Sequence, residues 1–309
     1  MKKSVFIFLI ILAASVLFSC GKKEVSAKNN SDEDNAKAAL ETTKDEDSSK
    51  TINGIEAVFV KGGTFIMGSP RDEQGRRGDE VQHKVTLTND FYIGKYPITN
   101  AQYADFLNAK EIKECGSFNG KRLVSRSRGL TYDNDVKWRA TEGFENRPVV
   151  RVDWLGAIKF SRWAGGRLPT EAEWEFAARG GNRSQGYIYS GSDNIDEVAW
   201  YRGNSNRRMQ SLGQKKANEL GIYDMSGGIW EWCHSWYGDY PVNAVTNPAG
   251  PRSGSRRVVR GGSWNFGAED CRVARRMSYL PSTNGGDLGF RVVFNSQDNI
   301  VESEEKKEE

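Results

Sequence analysis

Short β-prone runs, separated by glycine and asparagine turns, are the feature that most restricts how this chain can fold. The sequence contains 33 glycines, and no long stretch keeps a single hydrophobic period. The runs that predict strands are at residues 57–60, 64–67, 84–87, 92–93, 257–260 and 290–294. Long loops join them, especially between residues 180 and 220, and no repeat of solenoid length is evident.

Three segments carry the signals that begin a helix. Thr99 with Gln102, and Thr170 with Glu173, have the form of capping boxes, and Asp153 can cap a further helix. Apolar residues follow each cap at helical spacing. A few helices among many short strands and much irregular loop predict an α+β domain.

The N-terminus has the anatomy of an export signal. A basic start at Met1-Lys2-Lys3 precedes an apolar run over residues 4–17, which is shorter than the ~20 residues that a membrane helix needs. We therefore expect a signal peptide at residues 1–19. Leu17-Phe18-Ser19-Cys20 resembles a lipobox, so Cys20 is the expected lipidation site and membrane anchor. An ordinary secretory signal with an incidental cysteine is the alternative.

Composition divides the rest of the chain. Residues 20–51 and 297–309 are dense in charged and small polar residues, which predicts a disordered tether and a disordered tail. Residues 52–296 hold nearly all the aromatic residues, enough for the core of one domain. The net charge of +3 creates no strong field toward nucleic acid, so we expect no nucleic-acid partner, and we expect a monomer.

Arginines concentrate late in the domain, where we interpret them as structural ion pairs and exposed positions. They are Arg252, Arg256, Arg257, Arg260, Arg272, Arg275, Arg276 and Arg291.

The cysteines and histidines give little support for nucleophilic catalysis. Cys115, Cys233 and Cys271 are an odd number, so at least one stays unpaired within a monomer. A disulfide between Cys233 and Cys271 stays open at this point. His83 and His234 are the only histidines, which offers little basis for a Ser-His-Asp or Cys-His arrangement.

Several dense strings follow one another in order along the domain. They are GGTFIMG at 62–68, KYPITNAQY at 95–103, PVVRVDW at 148–154, GRLPTEAEWE at 166–175, GIYDMSG at 221–227, WEW at 230–232, RGGSW at 260–264 and GFR at 289–291. Together they resemble the formylglycine-generating enzyme (sulfatase-modifying factor) family, from near Val58 to near Asn295. The resemblance implies a variant of the C-type lectin fold, with short strands, few helices and long irregular loops.

The resemblance also implies a chemistry that this chain does not match. Enzymes of the family oxidise a substrate cysteine with oxygen and a copper ion held by two thiolates, shortly after the Arg-Gly-Gly-Ser string. Here Cys271 is the only cysteine in that stretch, and it adjoins Arg272 rather than either expected position. One thiolate cannot make a two-coordinate copper site. We therefore expect no copper and no such activity, with Cys233 as a second sulfur left open.

Calcium is the other metal that the resemblance implies. By position, Asp224 and Glu231 would supply carboxylates, and Gly227 and Ile229 would supply carbonyl oxygens, which are ligands that suit Ca²⁺. The alternative is that Asp224 caps a turn and Glu231 forms an internal ion pair. A second calcium site of the family expects an asparagine where this chain has Trp200-Tyr201, so we expect that site to be absent.

Residues 264–288 have neither a strand period nor a helix period, although family strings frame them on both sides. An irregular insert of mixed chemistry on a rigid frame is typical of a binding loop, and its mixture of Tyr, Ser, Gly and Asn resembles the contact loops of antibodies. The arrangement resembles the variable proteins of diversity-generating retroelements, which use this fold and diversify such a segment through adenine-directed copying errors. The predicted ligand contacts are Trp264, Phe266, Gly267, Glu269, Asp270, Arg275, Met277, Ser278, Tyr279, Leu280, Ser282, Thr283, Gly285, Gly286 and Asp287. Trp200, Tyr201 and Trp236 are expected neighbours.

The sequence thus predicts a non-catalytic lipoprotein of the outer membrane, displayed at the cell surface. It would bind an unknown ligand, a protein or a surface glycan, through a diversified segment at residues 264–288. One alternative is an undiversified member of the same family. The other is an exported formylglycine-generating-type oxidase that acts on protein cysteine.

Overall fold

The computed structural model describes residues 49–113, 117–118, 121–124, 129–133 and 137–296. Within them four helices and fifteen strands, most of them short, alternate with long loops, which is the predicted α+β arrangement. The signal peptide at residues 1–19, Cys20, most of the tether, Cys115 and the tail at residues 297–309 lie outside the described residues and stay predictions.

The first sheet is antiparallel and joins both ends of the domain. Its strands, in spatial order, are β1 (Ser49–Ile52), β2 (Ile55–Val60), β5 (Phe91–Gly94) and β15 (Val293–Asn295). Because β1 begins at Ser49, the last residues of the predicted tether form an edge strand and the fold begins before residue 52.

The second sheet is built around β10 (Trp230–Trp236). It lies between β12 (Arg257–Arg260), which is antiparallel to it, and β14 (Leu288–Gly289), which is parallel. Beyond β12, β13 (Met277–Tyr279) forms the antiparallel edge. The sequence pattern did not predict β10, because all its residues except His234 and Trp236 are buried and no alternation results.

A third sheet and two small hairpins complete the strands. In the third sheet β4 (His83–Leu87) lies between the antiparallel β3 (Gly63–Met67) and the parallel β11 (Val245–Thr246). The hairpins are β6 (Ser117–Phe118) with β7 (Lys121–Arg122), and β8 (Leu130–Tyr132) with β9 (Trp138–Ala140).

The strand predicted at residues 290–294 is confirmed only at its end, since β15 covers Val293–Asn295. The chain pairs at β14, leaves the sheet, and pairs again at β15. Between them, Arg291 turns into the interior and donates to the carbonyl oxygens of Gly94 and Tyr223, at 2.9 Å each. Because the buried guanidinium of Arg291 takes these backbone acceptors, strand pairing is interrupted between β14 and β15.

The three predicted helices are confirmed, each with its predicted cap. They are α1 (Asn100–Ala109), capped by Thr99, α2 (Trp154–Trp163), capped by Asp153, and α3 (Glu171–Ala178), capped by Thr170. Capping boxes are complete at α1 and α3. One further short helix, α4, covers Ile195–Val198. Within the described residues no helix has the length and apolar character needed to cross a bilayer.

The core consists of two clusters. The first lies around α1, α2 and β10, where Tyr103, Phe106, Phe160 and Phe290 contact one another with ring centroids 5.3 to 6.1 Å apart. The second packs the buried face of α3, including Trp174, against strands of the first and third sheets. Burial of each large side chain contributes about 1.5–3 kcal/mol.

Buried arginines connect the C-terminal part of the domain to α3 and β10. Arg291 donates twice to the carboxylate of Glu231, at 2.7 Å for both bonds, and Trp174 donates its indole N–H to the same group at 2.8 Å. Arg276 pairs in the same two-bond way with Glu171, at 2.6 and 2.9 Å. The interpretation of late arginines as structural ion pairs is confirmed at these positions.

Arg260 extends this network because its guanidinium contacts two carboxylates of α3. It pairs with Glu175 in a short contact and with Glu171 at 3.3 Å. Burial favours a raised pKa for Glu171, but Arg276 and Arg260 hold its pKa below the usual range. A charge left alone in such an interior is strongly destabilising, so the pairs require α3, β10 and β12 to assemble together.

We expect Glu231→Gln to destabilise the domain by about 3–5 kcal/mol, since Arg291 would stay buried without a counter-charge. Glutamine keeps an acceptor for Trp174, so the loss reports the charge. The matched control is Glu56→Gln, which removes the exposed ion pair with Lys95 and should cost less than about 1 kcal/mol. Urea unfolding of both variants measures the difference, and equal losses would contradict the network's role.

Candidate ligand-binding surface

Residues 264–288 do not form one exposed insert. Residues 270–276 are all buried, and they separate two stretches, 264–269 and 277–287, whose side chains are exposed or half-buried. We call these two stretches the contact surface. The sequence interpretation that the whole segment differs from core is therefore wrong for its middle seven residues.

Asp270 and Arg275 are two predicted ligand contacts that the structure contradicts. Both are buried, and Arg275 donates its Nε–H to Asp270 Oδ1 at 2.9 Å. The backbone around them is also used internally, since Arg260 donates to the carbonyl oxygens of Val273 and Arg275 at 2.9 and 2.7 Å. Asp270 and Arg275 therefore form an internal ion pair beneath the exposed stretches, and they are not available to a ligand.

The two exposed stretches meet at the start of β10. Phe266 packs edge-on against the ring of Trp230 with centroids 5.4 Å apart, and the backbone N–H of Trp230 donates to Asp287 at 2.8 Å. Ser263, which precedes the first stretch, donates its hydroxyl to Asp287 Oδ2 at 2.7 Å. The chain ends of the predicted segment are thereby held next to each other.

The floor of the contact surface belongs to the rim of the first core cluster. Phe266, Met277 and Tyr279 are half-buried against that cluster, and Tyr279 lies edge-on to Trp232 at 6.4 Å. Burial, together with the nearby carboxylate of Asp287, raises the pKa of Tyr279, so its hydroxyl stays protonated. The floor is thus aromatic and neutral.

Backbone hydrogen bonds fix the loop at residues 280–287. Arg151 donates its backbone N–H to Gly285, and Trp154 donates its own to Pro281, at 3.0 Å each. Thr283 closes a turn on Leu280 at 2.9 Å. Leu280 leaves 49% of its surface exposed. A fixed backbone that leaves some of its side chains exposed, here Leu280 and Ser282, is typical of binding loops.

The remaining predicted contacts fall into two classes by exposure. Those that are exposed are Glu269, Leu280, Ser282 and Gly286. Those that are partly exposed are Trp264, Phe266, Gly267, Met277, Ser278, Tyr279, Thr283, Gly285 and Asp287.

The loop after α4 lies beside the contact surface, as predicted from Trp200 and Tyr201. Arg202 donates its backbone N–H to Phe266 and its Nε–H to Asn265, at 2.9 and 3.0 Å. Ser205 donates its hydroxyl to Trp264 at 2.8 Å.

Sequence reasoning missed three arginines that flank the contact surface. They are Arg151, Arg202 and Arg256, the last of which donates to the side chain and carbonyl of Ser278 at 3.1 and 2.9 Å. Their positions follow from folding of distant segments, and no local sequence signal marked them.

The two cysteines that the structure describes do not form the donor set that copper requires. Cys233 and Cys271 are both free thiols, so the disulfide left open by the sequence is not formed. Burial raises the pKa of both thiols well above the ordinary value, and Cys271 donates its S–H to Gly267 at 3.5 Å. Buried neutral thiols do not fit a copper ion, which binds thiolates.

The residues predicted for calcium do not fit that ion either. Both carboxylate oxygens of Glu231 are engaged by Arg291 and Trp174, which is the internal ion pair named as the alternative. Asp224 has φ +58° and accepts from the backbone N–H of Gly213 at 2.8 Å, and burial raises its pKa to about 6.

The carbonyl oxygens of Gly227 and Ile229, which were predicted as calcium ligands, do not change this conclusion. Gly227 donates its N–H to Gly261 at 2.7 Å, and Ile229 is buried in the core. In the part of the chain that the structure describes, no three His, Cys, Asp or Glu side chains converge as metal ligands.

Three cavities lie away from the contact surface. Their volumes are about 330, 50 and 420 Å³, and none is lined by a predicted ligand contact. Trp236, an expected neighbour of the contact surface, lines the smallest of the three.

The fold and this arginine-framed surface define a C-type lectin-like domain of the formylglycine-generating enzyme type. Residues 42–296 match the family model of the sulfatase-modifying factor enzyme 1-like domain. The chain belongs to this family.

Two curated relatives illustrate the family's range. The chain is 32% identical over 275 residues to a formylglycine-generating enzyme of Streptomyces coelicolor, covering 75% of this chain and 85% of that protein. It is also 32% identical over 240 residues to a protein named serine/threonine-protein kinase pkn1 of Chlamydia caviae. That match covers 76% of this chain but spans only 37% of the relative's length.

Among solved structures, the chain is similar to Treponema denticola variable protein 1. The two share 26% identity with a TM-score of 0.61, over 80% of this chain and 98% of that one. The chain is thus related both to formylglycine-generating enzymes and to a variable protein.

We expect Asp224→Asn to stabilise the protein above pH 6 by about 2–3 kcal/mol. The pKa of Asp224 is raised from 3.8 to about 6, so the folded state binds the proton more tightly than the unfolded state. Stability of the parent protein therefore falls, relative to the variant, as pH rises from about 4 to about 6, and the difference is constant above.

Denaturant unfolding at pH 4, 5, 6 and 8, with calcium or with a chelator, measures this profile. Asparagine tolerates positive φ and keeps an acceptor for Gly213, so backbone effects cancel. Calcium-dependent stabilisation that disappears in the variant would instead show that Asp224 binds the metal.

Proposed function

We propose that this protein is a non-catalytic binding protein whose diversified contact surface recognises a protein or glycan ligand. The observation that carries the proposal is that backbone hydrogen bonds hold residues 264–269 and 277–287 while several of their side chains stay exposed or half-buried. Those with no internal side-chain bond in the described part of the chain include Leu280, Ser282 and Thr283. Substitution of such side chains changes what the surface binds without removing the hydrogen bonds and ion pairs that hold it.

We further propose that the domain is displayed on the outer membrane through lipid at Cys20. The support is the sequence of residues 1–20 and the charged tether, which would give the domain reach from the membrane. Display at the cell surface follows from the need of a binding protein to meet its ligand.

An oxidase that acts on protein cysteine is the second candidate, favoured by the match to the formylglycine-generating enzyme of Streptomyces coelicolor. The state of the two described thiols argues against it. Copper binds thiolates, and burial raises the pKa of Cys233 and Cys271 so that both thiols stay protonated. Both side chains are packed in the core.

Comparison of this gene among closely related isolates tests the diversified surface. We expect substitutions to concentrate at codons 264–269 and 277–287 and to arise mainly at adenines. The codons for residues 270–276 serve as an internal control, because their buried side chains cannot change freely. An even spread of substitutions across residues 264–288 would contradict diversification and favour an undiversified family member.

The same division can be measured on purified protein. The triple variant Leu280→Ala, Ser282→Ala, Thr283→Ala should unfold within about 1 kcal/mol of the parent, since these side chains are exposed or half-buried. Asp270→Ala should cost about 3 kcal/mol or more, because it leaves Arg275 buried and unpaired. A larger loss in the triple variant would mean that the loop side chains are structural.

The oxidase alternative has a direct assay. A peptide with the cysteine motif of sulfatases, incubated with the protein, copper and oxygen, should show no aldehyde by mass spectrometry. The formylglycine-generating enzyme of Streptomyces coelicolor is the positive control. Aldehyde formed by this protein, and lost in Cys271→Ala, would establish the enzyme and refute the binding proposal.

A further inference from the structure

Arg257 is a buried cation held between two tryptophan rings. It lies on β12 with 8% of its surface exposed. Its guanidinium carbon is 3.7 Å from the ring centroid of Trp154 and 3.4 Å from that of Trp236. The two rings are nearly parallel, with centroids 6.5 Å apart. Such stacking orients a guanidinium and attracts it, but supplies no negative charge.

Arg257 differs from the other buried arginines in having no carboxylate. The arginines that do pair with a carboxylate are Arg260, Arg272, Arg275, Arg276 and Arg291. Within the described chain Arg257 donates only Nη1, to the carbonyl oxygen of His234. Its Nε is buried with no hydrogen-bond partner, and its Nη2 makes no internal hydrogen bond either.

The lack of a counter-charge has an electrostatic consequence. Burial, unopposed by any carboxylate, lowers the pKa of Arg257 to about 10, so the group is still charged near neutral pH. The pKa of His234 is lowered by burial and then by Arg257, Arg167 and Arg162, which together outweigh the opposing carboxylate of Glu173. A buried charge with unused donors is costly unless something outside the chain pairs with it.

The location of Arg257 connects it to the contact surface. In the second sheet it lies directly opposite Tyr279 on β13 and opposite Trp236 on β10. The adjacent Arg256 holds Ser278 of the contact surface through its side chain. A ligand that covers Tyr279 would therefore reach the guanidinium between the tryptophans.

We propose that Arg257 is the part of the contact surface that binds a carboxylate of a protein partner, from an aspartate or glutamate side chain. This inference rests on the proposed binding function and specifies the chemistry of the ligand. Nε and Nη2 are adjacent donors of one planar group, and their spacing matches the two oxygens of a carboxylate. One carboxylate also balances the single positive charge of Arg257, whereas a phosphate dianion would leave one negative charge without a partner.

A protein partner suits the surface better than a free metabolite. The described cavity that Trp236 lines has a volume of only about 50 Å³, which is too small to enclose a free metabolite. Tryptophan, tyrosine and arginine are the side chains that most often dominate binding between proteins. The indole N–H of Trp154 donates to the carbonyl oxygen of Cys233 at 3.0 Å, whereas no hydrogen bond is seen from the indole of Trp236 in the described residues, so Trp236 is the ring that would shift to admit the carboxylate to Nε.

Titration of the full-length chain with N-acetyl-glutamate and with a short glutamate-containing peptide tests the site. Tryptophan fluorescence and melting temperature are the readouts, and sodium chloride at equal ionic strength controls for screening. We expect a saturable fluorescence change and a melting temperature that rises with carboxylate concentration. Inorganic phosphate and glucuronate, as a glycan carboxylate, should bind more weakly than the peptide.

Two substitutions at the site and one outside it distinguish binding from structure. Arg257→Gln should abolish the saturable response and leave the melting temperature unchanged or higher, since an unpaired buried charge is removed. Arg257→Lys should weaken the response about tenfold, because an ammonium lacks the two-donor edge. The matched control Arg252→Gln, at an exposed arginine in the loop before β12, should keep the response.

A response that persists in both Arg257 variants, or that sodium chloride reproduces, would overturn the site. Tighter binding of phosphate or glucuronate than of the peptide would overturn the assignment of a protein carboxylate. If Arg257→Gln fails to fold, Arg257→Lys decides through the same titration. The two proposals can fail separately. The titration tests only the carboxylate site at Arg257, and the pattern of substitutions among isolates tests only the diversified contact surface.

Discussion

Pairing of buried guanidinium groups with carboxylates is the interaction on which the rest of this structure depends. Arg260 and Arg291 come from the C-terminal part of the domain, while Glu175 and Glu231 come from α3 and β10. None of these groups is stable in the interior without its partner. The pairs therefore fix the strands that carry the contact surface, although the domain has few long regular elements to do so.

The sequence predicted what local rules determine. The three caps at Thr99, Asp153 and Thr170 marked their helices, because a cap acts within one helical turn. β10 was missed because burial on both faces removes the alternation that identifies a strand. The sequence did not separate the buried stretch at residues 270–276 from the exposed residues around it, because its burial depends on carboxylates such as Glu80 and Glu171 that are distant in the chain.

The relation to two kinds of protein has a physical explanation in this structure. The buried ion pairs and the caps belong to the scaffold and make no demand on the chemistry of the surface. In this chain the two described thiols serve as core side chains, and Glu231 serves as a counter-ion. The same frame can therefore hold either reactive groups or a set of contact residues, and fold by itself does not decide between them.

The buried stretch at residues 270–276 also divides the surface into two separately fastened halves. Residues 264–269 are held by the loop after α4. Residues 280–287 are held by Arg151 and by Trp154 at the start of α2. An insertion or deletion in one half therefore stops at the anchor and does not shift the register of the other. Each half can therefore lengthen or shorten on its own. Loop length is thus a second property, besides the identity of the side chains, that the scaffold allows to vary.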